Sequence, residues 1–398
     1  MRTLEILLQD PAINRWIKWV LILAILKREN PVAWASFLSL NRVIKAGLQE
    51  ANELVGLGNV DRIGNGVSCA LLMKATINNL AFPKDYMSIY VWMTLIKIQV
   101  VRNNGEKLQT FVKQQVSNSR VLKWIYSNKD TILFSLLSGQ ILSSYLSPTR
   151  KSNHKYLNAS LKSYILNPIW INFSLGANDH AFNWMGLLKQ YLKLQGILST
   201  VNFFTSLKSK ILDDPEGNIW SKLQNYLCYV FHKSNAYVNL IFFPNLLAIF
   251  SLAITSPMLQ LIPPNYKKLA IKSYIKSIGF IASFITVYAN SNNWIKDFGY
   301  IRENHEPNPR LISKSFLEGI NIHLIRLILV SKWRALRDNH PSFKSIKSST
   351  WNLYETLAMC IGTWNLMNIY DQVKYNHDKV SESIKRDRLM NGIKQIMD

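Results

Sequence analysis

The chain is poor in charge, poorer in acid, and has few cysteines. Charged residues make up 18% of its 398 positions, against roughly 25% in soluble globular proteins. Acid is the scarcer sign: 24 Asp and Glu stand against 47 Lys and Arg, for a formal net charge of +23. Hydrophobic residues reach 48%, which excludes a disordered tail protein, a collagen-like chain and a coiled coil. The three cysteines, Cys69, Cys228 and Cys360, have no short spacing, which excludes a disulfide scaffold and a zinc ribbon.

Catalytic signatures are missing too. The sequence contains no G-x-x-x-x-G-K-[ST] or G-x-G-x-x-G phosphate loop, no H-E-x-x-H helix and no G-x-S-x-G elbow. None of the seven histidines has an Asp five positions on. His180 follows Asp179 and His377 precedes Asp378, but adjacent residues do not face each other on a helix. Cys228 and His232 are four apart and share a helix face, yet two ligands are too few for zinc. No catalytic residue, cofactor or metal is therefore expected.

The basic excess has a plain origin in a chain rich in Asn, Lys, Ile and Ser. A nucleic-acid surface would show a dense Lys/Arg stripe interleaved with exposed aromatics. Here the basic residues cluster between apolar runs, as in loops flanking membrane spans. Nucleic acid is not an expected partner, and membrane lipids are. At the N-terminus, Lys18 interrupts the apolar run 16–26, and Lys27, Arg28 and Glu29 follow without a small-residue cleavage site. Any organelle address is expected to be internal.

Residues 234–266 form the longest stretch without charge. A spanning helix needs about 20 mainly apolar residues, and this stretch exceeds that. Pro244 and Pro257 are expected to kink or end its helix. The uncharged runs 131–149 and 277–295 approach spanning length. Shorter candidates are 30–41, 67–82, 86–96, 163–178, 316–330 and 356–370. The alternative for these is burial inside a soluble α-helical protein. Aromatic residues gather near run ends, among them Trp124, Tyr126, Trp294 and Trp351, as rings do at headgroup level.

Small residues recur four apart within these runs: Ser135, Gly139 and Ser143; Gly66 and Ala70; Gly279 and Ser283; Ala358 and Gly362. That spacing puts them on one helix face and lets backbones approach closely, which is how helices associate in lipid.

An internal repeat underlies the order of elements. Asp130 and Thr131 open one run that Tyr145 closes, and Glu355 and Thr356 open another that Tyr370 closes, at the same separation. Upstream, Arg62-Ile63 leads the run 67–82 and Arg310-Leu311 leads 316–330. The pattern predicts two related helical halves, 30–147 and 273–371. A central connector, 148–272, holds at least one further span. An N-terminal amphipathic helix, 1–29, precedes them, and a basic exposed tail, 372–398, follows. Asp130 and Glu355 are expected at helix N-termini, where an acid complements the helix dipole.

The acid-Thr run from Asp130 to Ser135, its helix, and Tyr156 to Leu161 past a basic turn resemble the transmembrane protein 135 (peroxisomal membrane protein 52) family, related to the Tim17/Tim22/Tim23-like superfamily. The stretch from Arg62 to Leu72 resembles that family's small-residue helix. The resemblance covers about residues 30–161 and, more weakly, 271–371. The chain departs from the family in keeping only Cys228 and His232 of a Cys/His-rich segment, and in carrying Glu318, His323 and Arg326 in the second half. The resemblance implies an all-α, polytopic membrane protein with two Tim17-like halves. It also implies a mitochondrial or peroxisomal membrane, and a part in organelle dynamics or lipid handling.

Charged groups inside candidate spans are the functional lead, because charge in lipid is costly and normally faces a partner or a watery cavity. Lys74, Glu318, His323 and Arg326 are the candidate lining of a polar path. The expected role is non-enzymatic: transport, lipid handling or organelle organisation, alone, as a homo-oligomer or with other membrane proteins. The alternatives are a subunit of a protein-import channel, a membrane-embedded lipid enzyme, and a soluble basic nucleic-acid binder.

Overall fold

A computed structural model describes residues 11–26, 28–56, 58–79, 82–117, 119–145, 155–162, 184–207, 219–291, 312–376, 379–385 and 387–397. Among them every element is helical. In chain order these are α1 (Pro11–Ile25), α2 (Pro31–Ser39), α3 (Asn41–Val55), α4 (Val60–Thr76), α5 (Lys84–Ser117), α6 (Arg120–Ser127), α7 (Lys129–Tyr145) and the single turn α8 (Ala159–Leu161). They continue with α9 (Trp184–Leu207), α10 (Ile219–Gln260), α11 (Pro264–Ser291), α12 (Lys314–Asn339), α13 (Pro341–Lys344), α14 (Ser348–Val373), α15 (Lys379–Lys385) and α16 (Arg388–Met397). The expected run 163–178 and the leading pair Arg310-Leu311 lie outside the described residues.

Local chemistry sets many of the boundaries. Pro31, Pro264 and Pro341 open helices at a position where the missing N–H costs nothing. Asn59 caps α4 by accepting from the Arg62 amide at 3.3 Å. Gly56 ends α3 at φ 68°, a left-handed turn that glycine adopts without a Cβ clash. Pro244 and Pro257, expected to kink or end the helix of the long apolar stretch, do not end it: both lie inside α10. Glu355, expected at a helix start, sits a full two turns into α14 because the helix already begins at Ser348. Asp130 does fall in the first turn of its helix.

The chain forms two compact units, one of residues 1–115 with 336–398 and the other of residues 116–335. These cut across the expected halves. In the first unit α14, from the second half, packs against α4, from the first. In the second unit α7, from the first half, packs against α11, from the second. Each acid-Thr helix thus packs against an element of the other expected half.

In the first unit α2, α4, α5, α14 and α16 enclose an apolar core that includes Phe37, Leu72, Leu95, Met359, Met367 and Met390. Met390, Ile393 and Met397 are buried on one face of α16. The last segment is therefore not the exposed tail expected from its charge: its apolar residues recur at helical spacing and fold onto the core. In the second unit α7, α10 and α11 share a core that includes Ile141, Leu142, Val238, Phe242, Leu246 and Ile275. Tyr237 of α10 stacks on Phe316 of α12 at 4.2 Å.

Candidate functional site

Buried and half-buried polar and charged groups gather in the first unit at the two ends of α4. At the N-terminal end, Asn41, Asn65 and Ser68 are buried. Lys45 Nζ lies 2.7 Å from Asp371 Oδ2 and 3.8 Å from Asp61 Oδ1. The Asn65 amide donates to Asp371 Oδ2 at 2.8 Å and to Asn368 Oδ1 at 2.9 Å. Asn41 Nδ2 donates to Ser68 Oγ at 2.7 Å, while Asn41 Oδ1 has no partner among the described residues. Three helices, α3, α4 and α14, are thereby tied together by side chains in place of apolar packing.

At the C-terminal end the last carbonyls of the helix need partners. Ile77 O accepts from Lys84 Nζ at 2.8 Å and from Asn352 Nδ2 at 2.7 Å, and Lys84 also donates to Asn352 Oδ1. A cation at a helix C-terminus is favoured by the dipole. Burial pushes the Lys84 ammonium below its ordinary range, and the Glu355 and Glu29 carboxylates pull against that shift. Glu355 itself pairs with Arg337 Nη1 at 3.0 Å. From Asn65 to Ile77 the helix rises about 18 Å. Apolar Leu72, Val91, Leu95 and Met359 fill the space between the two polar layers.

The sequence-predicted path is not brought together as a buried lining. Lys74, Glu318 and His323 are exposed, and Arg326 is half-buried. Lys74 belongs to the first unit and the other three to the second. The residues that are brought together instead are Lys45, Asn65, Asp371, Lys84 and Asn352, of which Asn65 and Lys84 are buried and the others half-buried. None carried a signal beyond being a polar residue at the rim of an apolar run.

The small-residue faces fare differently. Ser135, Gly139 and Ser143 are buried together on α7, facing α11, where Gly279 approaches and Ser283 is buried. A Cβ on Gly139 would meet Lys276 O at 2.9 Å, and Ser143 Oγ donates to Lys272 O at 3.3 Å. On α14, a Cβ on Gly362 would lie 2.5 Å from Val91 Cγ1, and Trp92 donates its indole N–H to Ala358 O at 3.0 Å. Gly66 and Ala70 do not form such a face: Ala70 is exposed, and α4 packs through Asn65, Ser68, Cys69 and Leu72.

The main-chain carbonyls of Asp130 and Glu355 each accept a side-chain hydrogen bond. Asn321 Nδ2 donates to the main-chain carbonyl of Asp130 at 2.8 Å, and Ser88 Oγ to that of Glu355 at 2.7 Å. Thr131 and Thr356, next to each acid, are both buried. From the Tyr156–Leu161 segment, Leu157, Asn158 and Leu161 line a small open cleft with Gln140, Ser144 and Lys332. Among the described residues no three His, Cys, Asp or Glu side chains converge on a metal position.

Among the described residues two helices are long and apolar enough to cross a membrane: α10 over Ile219–Thr255 and α11 over Pro264–Ser291. Only 39% and 33% of their most apolar windows are buried. The other expected spans do not meet the same length and polarity among the described residues. No family model, no curated protein and no solved structure matches this chain.

Proposed function

We propose that this chain is a multi-pass helical protein of an organelle membrane, acting without enzymatic chemistry in transport, lipid handling or membrane organisation. The observation that carries the reading is the outward apolar surface of α10. A core helix of a soluble protein hides such a segment, because apolar surface left in water forgoes about 25 cal/mol per Å². Here only 39% of the most apolar window is buried, and Phe243, Leu247 and Ile254 on that helix are exposed, where hydrocarbon would solvate them at no such loss. At about 1.5 Å per residue, Ile219–Thr255 is longer than the roughly 30 Å hydrocarbon layer.

The glycine contact between α7 and α11 supports the same reading, since close backbone approach holds helices together where lipid removes the hydrophobic drive. The resemblance to the transmembrane protein 135 family favours mitochondria or peroxisomes, with the endoplasmic reticulum as the alternative, and lipids or further membrane proteins as partners.

The test is alkaline carbonate extraction of mitochondrial, peroxisomal and reticular fractions from cells making the tagged chain. Retention in the mitochondrial or peroxisomal pellet supports the reading. Release into the supernatant overturns it and makes the apolar helices buried or peripheral.

A further inference from the structure

The short helix α6 is amphipathic, and among the described residues only the Trp124–Phe284 ring contact is recorded on its apolar side. On its wheel Arg120, Lys123 and Ser127 share one side, while Val121, Leu122, Trp124, Ile125 and Tyr126 occupy the rest. None of its residues is buried. Val121 is 65% exposed and Trp124 50%. Such a surface on a two-turn helix needs an occupant.

The helix is nevertheless well defined. Ser119 caps its start, accepting from the Leu122 amide at 3.5 Å. Asn128 closes its end, donating to Trp124 O at 3.0 Å. That single residue separates it from α7, whose first residue is Lys129. The Trp124 ring also meets Phe284 of α11, with centroids 6.2 Å apart. The helix is thus pinned beside the α7–α11 pair while its apolar side stays open.

Charge identifies the occupant. Arg120, Lys123 and Lys129 fall within ten residues that contain no acid, and Lys129 sits over the Tyr126 ring at 4.9 Å. Cations beside Trp and Tyr, over an aliphatic stripe, fit the boundary between anionic headgroups and acyl chains. A protein groove would have to match the apolar stripe and supply carboxylates to the same short helix; an anionic leaflet offers both at once.

We propose that α6 is an interfacial anchor that seats on anionic phospholipid headgroups and sets the depth of the α7–α11 pair in the bilayer. This rests on the membrane reading above and adds the lipid chemistry and the segment that recognises it.

The test uses the full chain in nanodiscs, with Cys228→Ser to remove the exposed thiol and Val121→Cys carrying an environment-sensitive fluorophore. The same label at Tyr375→Cys, 79% exposed in the first unit, is the comparison site. In discs with phosphatidylserine, shallow spin-labelled lipids should quench the label at 121 more than in phosphatidylcholine alone. Arg120→Glu with Lys123→Glu should raise the phosphatidylserine fraction needed for half-maximal quenching by roughly fivefold or more. A label at 121 as open to water-soluble quencher as the one at 375 overturns the anchor. So does shielding without lipid quenching, which would mean coverage by protein, or quenching indifferent to phosphatidylserine. Carbonate extraction of the unlabelled chain separates the two levels: a retained chain with a water-exposed 121 sinks the anchor alone, and a released chain sinks the membrane reading with it.

Discussion

Gly279 meets Gly139 across α7 and α11 so closely that a Cβ on Gly279 would lie 2.8 Å from the Gly139 Cα. A Cβ on Gly139 would in turn sit 2.9 Å from Lys276 O and 3.0 Å from Phe280 N. These are backbone neighbours, so the helices themselves must separate. Gly139→Ala and Gly279→Ala are each expected to destabilise the second unit by about 1–3 kcal/mol. Gly319, within α12, has open space where its Cβ would go. Gly319→Ala should raise stability by up to about 1 kcal/mol through helix propensity. Thermal unfolding of the three purified variants in one detergent checks this. Equal melting points for Gly139→Ala and Gly319→Ala would contradict the close crossing.

That crossing was legible in the sequence because a four-residue spacing fixes a helix face whatever the partner is. The partner was not legible. Nothing in the pattern around Gly139 says that it meets Gly279, in the other expected half, since local periodicity carries no information about which neighbour fills a face. Gly66 and Ala70 have the same spacing, yet α4 packs through the adjacent stripe. There Asn65 bonds to Asn368 and Asp371, which holds that stripe against α14. Asn41, Asn65 and Asn368 were hidden in a chain rich in asparagine. Lys74, Glu318 and His323 stood out only because they interrupt apolar runs, and interruption is what an exposed helix face also produces.

The Lys45–Asp371 pair should be coupled energetically. Its side chains are 13% and 23% exposed, so water screens it in part and the loss on breaking it falls below the 3–5 kcal/mol of a fully buried pair. Asp371→Asn and Lys45→Met should each cost about 1–3 kcal/mol. Asp371→Asn leaves Lys45 with only the more distant Asp61 carboxylate. The double variant should cost less than the two singles together, by about 1 kcal/mol. A double-mutant cycle on melting free energies measures this, and strict additivity would show that the two groups contribute independently.

Lys84 gives a pH dependence with a definite sign. Its ammonium is held below the ordinary value of 10.5, chiefly by burial. Between the lowered folded value and 10.5 the unfolded chain binds more protons than the folded one. Stability from this group therefore rises with pH across that window, and is lost again as pH falls through the folded value. Lys84→Met removes the group and should flatten the difference between melting curves taken at pH 8 and pH 10. The variant should also be less stable at neutral pH, because Ile77 O loses the ammonium and Asn352 its partner. A wild-type chain whose alkaline gain matches the variant's would place Lys84 in water.

The three thiols should divide by burial. Cys69 and Cys360 lie within the apolar core of the first unit, whereas Cys228 on α10 is exposed. Alkylation needs both access and thiolate, and a side chain packed in a core gains access only when the structure opens. In mild detergent a water-soluble maleimide should therefore modify one thiol per chain quickly, and the other two roughly a hundredfold more slowly or less. Addition of SDS should bring the count to three. Cys228→Ser should abolish the fast phase while leaving the slow one, which assigns it. Because α4 and α14 contribute one buried cysteine each, the slow phase also reports their contact. Asp371→Asn, which loosens the polar layer joining these helices, should accelerate it in proportion to the stability lost. Fast labelling of Cys69 or Cys360 in the intact chain would mean that the apolar layer between the two polar clusters is open to water.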